Sequence, residues 1–179
     1  MTIMLQVRDE VAAMDRTPQD RMLQDRMADT AKAPGLYLED FTVGDRFSGG
    51  AIAVTPDTIK AFAREFDPQP FHMDEEAAKD SFFGGLAASG WHTAAMTMRL
   101  LAEFGPHVAG GMIGGGCELA WPSPTRPGDV LHVECEIVAV TPSRSRPERG
   151  MVLMRSETKN QHGEIREILT AKLVVPRRH

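Results

Sequence analysis

A carboxylate and an imidazole five positions apart, with two prolines between them, are the residues of this chain whose types and spacing could do chemistry: Asp67-Pro68-Gln69-Pro70-Phe71-His72. On a regular strand the two side chains would point in unrelated directions. Proline restricts both its own backbone and that of the residue before it, so the segment must turn in a defined way. Asp67 and His72 can therefore converge on one small volume. There they could hold a water molecule, the carboxylate accepting its proton while the imidazole orients it or passes a proton elsewhere. A plainer role also suits them, with Asp67 capping a turn and His72 packing.

A second piece follows downstream, where Leu86-Ala87-Ala88-Ser89-Gly90-Trp91 runs small residues into the start of an apolar segment. Free N–H groups at a helix N-terminus, with the macrodipole behind them, favour developing negative charge. Glycine at position 90 would let a substrate carbonyl approach the backbone closely. Small residues here would equally let a helix pack tightly against a sheet.

The elements that must position these pieces are legible from periodicity. Thr55-Pro56-Asp57 opens a helix, with Thr55 as N-cap and Pro56 at its first position. Ile59, Phe62, Ala63 and Phe66 form its apolar face, and Pro68 and Pro70 require it to stop near Phe66. The loop 67–74 is then a rigid exit, and a short helical turn over 75–80 follows. Gly90–Phe104 repeats Trp91, Ala94, Ala95, Met98 and Leu101 at helical spacing and is apolar almost all round up to Arg99, the pattern of a buried helix. Gly105-Pro106 ends it.

Strands make up the remainder. An extended segment over 47–54 precedes the first helix. Residues 112–121 form a glycine-broken strand, with Gly114-Gly115-Gly116 as a bulge or close backbone approach. Residues 129–140 alternate cleanly, Leu131, Val133, Cys135, Ile137 and Ala139 against His132, Glu134 and Glu136. Strands over 151–158 and 164–175 flank a turn at 160–163. A long helix followed by at least four strands is an α+β pattern with an antiparallel sheet.

Residues 1–35 differ from the rest. Charges and methionines intersperse, without a firm core-facing stripe, which predicts a flexible N-terminal extension before a domain over 36–179. A translation start at Met27 is a second way to read that stretch. The chain of 179 residues, 42% hydrophobic and 25% charged, suits one soluble globular domain. A formal net charge of −5 gives no reason to expect nucleic acid, and no apolar run reaches transmembrane length. Cys117 and Cys135 are too far apart for a CxxC pair and read as small buried hydrophobes. His107, His132, His162 and His179 are scattered, so no metal site is expected. Arg144, Arg146 and Arg149 form a basic loop, either simply solvated or touching coenzyme A phosphates. A cytoplasmic, reduced protein is the natural expectation.

The stretch Phe62-Ala63-Arg64-Glu65-Phe66-Asp67-Pro68-Gln69-Pro70-Phe71-His72-Met73-Asp74, followed by Ala77, Gly85 and Gly90 before an apolar helix, resembles the hydratase signature of MaoC-like proteins, which include the (R)-specific enoyl-CoA hydratases. The turn Arg126-Pro127-Gly128-Asp129 and the hairpin Asn160-Gln161-x-Gly163 are also similar to that family. The resemblance runs from about Leu36 to the C-terminus. It implies a hotdog fold, a curved antiparallel sheet wrapped around the central helix, usually paired as a homodimer. It implies that Asp67 and His72 bind and activate water for addition to a trans-2-enoyl thioester, or its reverse, while the Gly90 N–H supports the thioester oxygen. Pro70, Phe71, Ser89, Trp91 and His92 are the neighbours expected to bind substrate, with helix packing as the other reading of His92. No cofactor is implied beyond coenzyme A as part of the substrate. The family's commoner motif is Asp-x-Asn-Pro-x-His with His-Gly at the helix start, and here Gln69 and Ser89 replace the Asn and the His. Thioester hydrolysis on the same fold, or a non-catalytic acyl-binding module, are the alternatives to the hydratase.

Overall fold

The computed structural model describes residues 35–178. The expected N-terminal extension, with its Met27, lies outside the described residues. A 3-10 turn at Leu38–Asp40 leads into strand β1, Arg46–Ala53. Three helices follow, α1 over Pro56–Phe66, α2 over Pro70–Met73 and α3 over Glu75–Lys79; then comes the long α4, Gly90–Phe104. The chain closes with β2 (Ile113–Ala120), β3 (Val130–Pro142), β4 (Arg149–Lys159) and β5 (Ile165–Pro176). All pairings are antiparallel, in the order β1-β3-β4-β5-β2. This is the expected α+β hotdog architecture, a single curved sheet around α4.

Local chemistry accounts for the boundaries. The Thr55 hydroxyl accepts from the Thr58 N–H and Pro56 is the first residue of α1, as expected. The exit loop is more ordered than the sequence predicted, because Pro70 starts a second short helix that carries His72. The triple glycine of β2 is the expected bulge, with the register shifting between Gly114 and Gly116. β1 also shifts register, between Gly49 and Ile52, where it crosses the C-terminal end of α4. A Cβ at Gly49 would lie 2.6 Å from Phe104 Cδ1, and Gly50 has φ +97° against Leu100 and Phe104. These glycines let the strand lie directly on the helix.

The core lies between α4 and the concave face of the sheet. Leu100 and Leu101 meet Leu131, Val133, Ile137, Val152, Met154 and Val175, all essentially inaccessible. Each such side chain contributes on the order of 1.5–3 kcal/mol by leaving water.

The buried all-round character expected of α4 is not what forms. Trp91, Ala95, Met98, Arg99 and Ala102 are exposed along one stripe, Trp91 at 64% and Met98 at 46%. A single sheet covers only the face carrying His92, Thr93, Met96, Thr97, Leu100 and Leu101. Phe66 departs likewise: α1 ends there and its ring is 64% exposed. Cys135 is buried as expected but Cys117 is exposed, because β2 is an edge strand with little packed on it.

Two turns that are distant in sequence meet under the sheet's end. Arg166 clasps Asp129 through Nε (2.8 Å) and Nη2 (3.1 Å), and both side chains are buried. Asn160 donates to the same carboxylate at 3.0 Å, while the Asp129 Oδ2 also accepts from the Arg126 N–H at 2.8 Å. Gln161 adds a bond in each direction, accepting from the Val130 N–H and donating to the Gly128 carbonyl. Removing Asp129 would leave the buried Arg166 guanidinium with the more exposed Glu164 as its charged partner and would strip an acceptor from Asn160 and the Arg126 N–H. Asp129→Ala should therefore lower unfolding free energy by about 3 kcal/mol or more, measured by urea denaturation against the parent chain.

Candidate active site

α1 ends at Asp67, which caps it in a non-helical conformation (φ −153°, ψ 69°), its N–H still bonded to the Ala63 carbonyl. The chain doubles back through Gln69 N–H to the Asp67 carbonyl (2.7 Å) and His72 N–H to the Gln69 carbonyl (2.9 Å). That tight return puts His72 Nε2 3.4 Å from Asp67 Oδ2. The two side chains do converge, and His72 is buried with only 4% of its surface accessible.

The other ring nitrogen settles how His72 is held. Its Nδ1 lies 2.7 Å from the carbonyl of Ala87, an acceptor only, so Nδ1 carries the proton. In the uncharged imidazole Nε2 is then an acceptor, facing a carboxylate that is also an acceptor. These two groups have no hydrogen to share directly. A molecule that donates twice satisfies both, and water does so while its lone pairs point elsewhere.

The Asp67 carboxylate has its own supports. Gln69 Nε2 donates to Oδ1 at 2.8 Å. Burial works to raise its pKa, but the Ser89 hydroxyl, the Gln69 amide and the neighbouring imidazole together outweigh it and hold the carboxyl below its ordinary range. Ser89 is itself buried as the N-cap of α4, its Oγ accepting from the Trp91 N–H at 3.2 Å. The cap engages the second amide of the helix and leaves the first, that of Gly90, out of it.

Backbone contacts tie the return loop to this helix start. Ala87 N–H donates to the Phe71 carbonyl (3.3 Å) beside the His72 bond, and Ala88 N–H to the Thr125 carbonyl (2.9 Å). Arg126 reaches the carbonyls of Phe83, Gly85 and Leu86. Asp67, His72, Ser89 and Gly90 thus belong to one rigid patch.

The other expected site residues are placed as follows. Pro70 opens α2. Phe71 packs edge-on to His72 (4.6 Å) and against Phe83 (5.1 Å), walling that side of the imidazole. His92 stacks on Phe62 at 4.7 Å and 7°; burial pushes its pKa down, and its Nδ1 is enclosed without a partner. Trp91 is exposed and meets Trp121 edge to face at 5.6 Å. Trp121 gives Gly90 a different reason from the one expected. A Cβ there would lie 2.8 Å from indole Cδ2 and Cε2, so the missing side chain admits the Trp121 ring.

Residues 41–160 match the sequence model of the family described as MaoC like domain. The chain belongs to the MaoC-like family. A MaoC-like dehydratase of known structure from Rhodospirillum rubrum is 62% identical, with a TM-score of 0.79 over 81% of this chain and 99% of that one. YdeM of Bacillus subtilis, described as an uncharacterized protein, is 36% identical over 129 residues, 70% of this chain and 89% of its own length. The R-hydratase PhaJ1 of Pseudomonas aeruginosa shares the fold at 23% identity, with a TM-score of 0.64 over 80% of this chain and 88% of its own. This MaoC-like chain therefore shares the hotdog fold of these solved structures.

Gln69, Ala87 and Trp121 are site neighbours that residue types alone did not single out. Gln69 sits inside the signature as a departure from the commoner motif, which was a signal. Ala87 acts only through its backbone, which no side chain announces.

Proposed function

We propose that this MaoC-like protein adds water to an enoyl thioester, or removes it from the 3-hydroxyacyl thioester, with coenzyme A as carrier. The observation that carries the reading is the pairing of two acceptors 3.4 Å apart, Asp67 Oδ2 and His72 Nε2, with Nδ1 committed to Ala87. A water donating to both presents its oxygen lone pair to the β-carbon of a conjugated thioester. As the C–O bond forms, the carboxylate takes a water proton and the imidazole keeps the oxygen in line. Electron density moves onto the thioester oxygen, where the Gly90 N–H and the positive end of α4 stabilise the developing enolate. The proton that Asp67 took from the water then passes to the α-carbon, which completes the addition and restores the carboxylate; elimination runs the same steps backward. Proton transfers suffice, so we assign no cofactor beyond the coenzyme A of the substrate.

The same reading includes a homodimer, in a reducing cytoplasm that suits the two free cysteines. β2 is an edge strand, paired only with β5 and exposed along nearly its whole length, and α4 carries an exposed apolar stripe of Trp91, Ala95, Met98 and Ala102. A second copy would cover both surfaces at once. Sedimentation should find a dimer; a stable monomer with full activity would remove this part of the proposal.

Incubation with a panel of enoyl-CoAs should deplete the conjugated absorbance without releasing free thiol, whereas thiol release would point to thioester hydrolysis. Asp67→Asn and His72→Ala should each lower turnover by about 10²–10⁴-fold. The double variant should fall well short of the product of those factors, because both groups act on one water. Circular dichroism must show intact folds, and near-normal hydration by a folded Asp67→Asn protein would refute the dyad.

A further inference from the structure

Glu167 is a fully buried carboxyl that the hydration chemistry does not use. It lies on β5 among the inward-facing positions, in register with Leu169, Ala171, Leu173 and Val175, opposite Thr158 on β4. An acid in that row is costly to desolvate and needs a reason. One oxygen, Oε2, accepts the Trp121 indole N–H at 2.9 Å. The other, Oε1, is enclosed with no hydrogen-bond partner. Burial pushes the carboxyl above its ordinary range, against the Trp121 indole and, more weakly, the Thr97 hydroxyl, which is itself hydrogen-bonded to Thr158 Oγ1 at 2.7 Å.

The indole it holds is where a substrate wall should be. Its ring lies against the α-carbon of Gly90, filling the place of a side chain, while its neighbour across the edge is Trp91. Trp121 is 41% exposed, so the ring is reachable on the side that Glu167 and Gly90 do not cover. Without a fixed N–H partner a half-exposed indole at a strand end would rotate about its two side-chain torsions. A single buried acceptor pins the far end of the ring.

We propose that Trp121 is a substrate-contacting wall beside the Gly90 amide and that Glu167 is its positioning residue, acting on the thioester only through the indole. This rests on the reading that the thioester oxygen meets Gly90. Glu167 needs an acceptor atom, not a charge. Glu167→Gln keeps one that the indole can use, while Glu167→Leu keeps the bulk and removes it.

Trp91 and Trp121 are the only two tryptophans of the chain, so intrinsic fluorescence reports this corner directly. Butyryl-CoA, saturated and unreactive to hydration, serves as the binding probe, and crotonyl-CoA as the substrate. In folded Glu167→Leu the emission should move to longer wavelength. Its butyryl-CoA Kd and crotonyl-CoA KM should rise on the order of tenfold, the loss of one positioning hydrogen bond, while kcat falls by less than about threefold. Glu167→Gln should stay within about twofold of the parent chain in every readout. Trp121→Phe should match Glu167→Leu in binding, and the double variant should be no worse than Trp121→Phe alone, the sign of action through one group. Unchanged emission and Kd in Glu167→Leu would overturn the inference and leave the hydratase reading intact, as would altered emission with unchanged Kd. A parent chain that neither binds butyryl-CoA nor hydrates crotonyl-CoA would overturn both.

Discussion

The bond between His72 Nδ1 and the Ala87 carbonyl, 2.7 Å long, does two things at once. It decides which ring nitrogen carries the proton, and it fastens the return loop after α1 to the segment that starts α4. Everything proposed for the site follows from that pair of consequences. With the proton on Nδ1, Nε2 becomes an acceptor aimed at Asp67, and a doubly donating molecule has a place between them. With the loop fastened, that place has a fixed distance from the Gly90 amide. Rigid placement of a nucleophile and of the group that stabilises its product is a large share of what an enzyme site supplies.

That fastening needs a firm partner, and the rest of the fold provides it. Ala88 is bonded to Thr125, and Arg126 grips the carbonyls of Phe83, Gly85 and Leu86. Arg126 in turn belongs to the turn that Asp129 closes, where Arg166 and Asn160 converge. The polar network under the sheet's end is thus continuous with the approach to α4. Its members are satisfied many times over, the condition under which a buried ionic cluster specifies one geometry. Asp67 and His72 on the loop therefore inherit their positions from the turn before β3 and from β5.

Where the sequence was legible, a local physical rule decided the outcome. Proline at positions 68 and 70 had to stop α1, Thr55 had to cap it, and the alternation in β3 had to bury Leu131, Val133, Cys135 and Ile137. Convergence of Asp67 and His72 followed from the prolines. What could not be read was whatever depends on a neighbour distant in the chain. The exposed stripe on α4 is apolar by composition and exposed because only one sheet covers it. The missing side chain of Gly90 also admits the Trp121 ring, which arrives from the end of β2 and which no local rule announces. Cys117 sits in strand sequence as readily as Cys135, but on an edge. Glu167 was open to discovery, since it breaks an inward row of apolar residues, yet the partner that explains it lies 46 positions away. The two departures from the commoner family motif, Gln69 and Ser89, turn out to be the side chains that favour the Asp67 carboxylate.

The protonation pattern of His72 decides whether Asp67 and His72 can share a water, and nitrogen-15 NMR of the histidine-labelled protein at neutral pH reads it. The His72 resonances should report a proton on Nδ1 and a bare Nε2, and substituting Asp67 should leave that tautomer unchanged because Ala87 sets it. A proton on Nε2 in the uncharged ring would make a direct bond to the Asp67 carboxylate. That result would leave no pair of acceptors for a shared water and would contradict the mechanism proposed for this site.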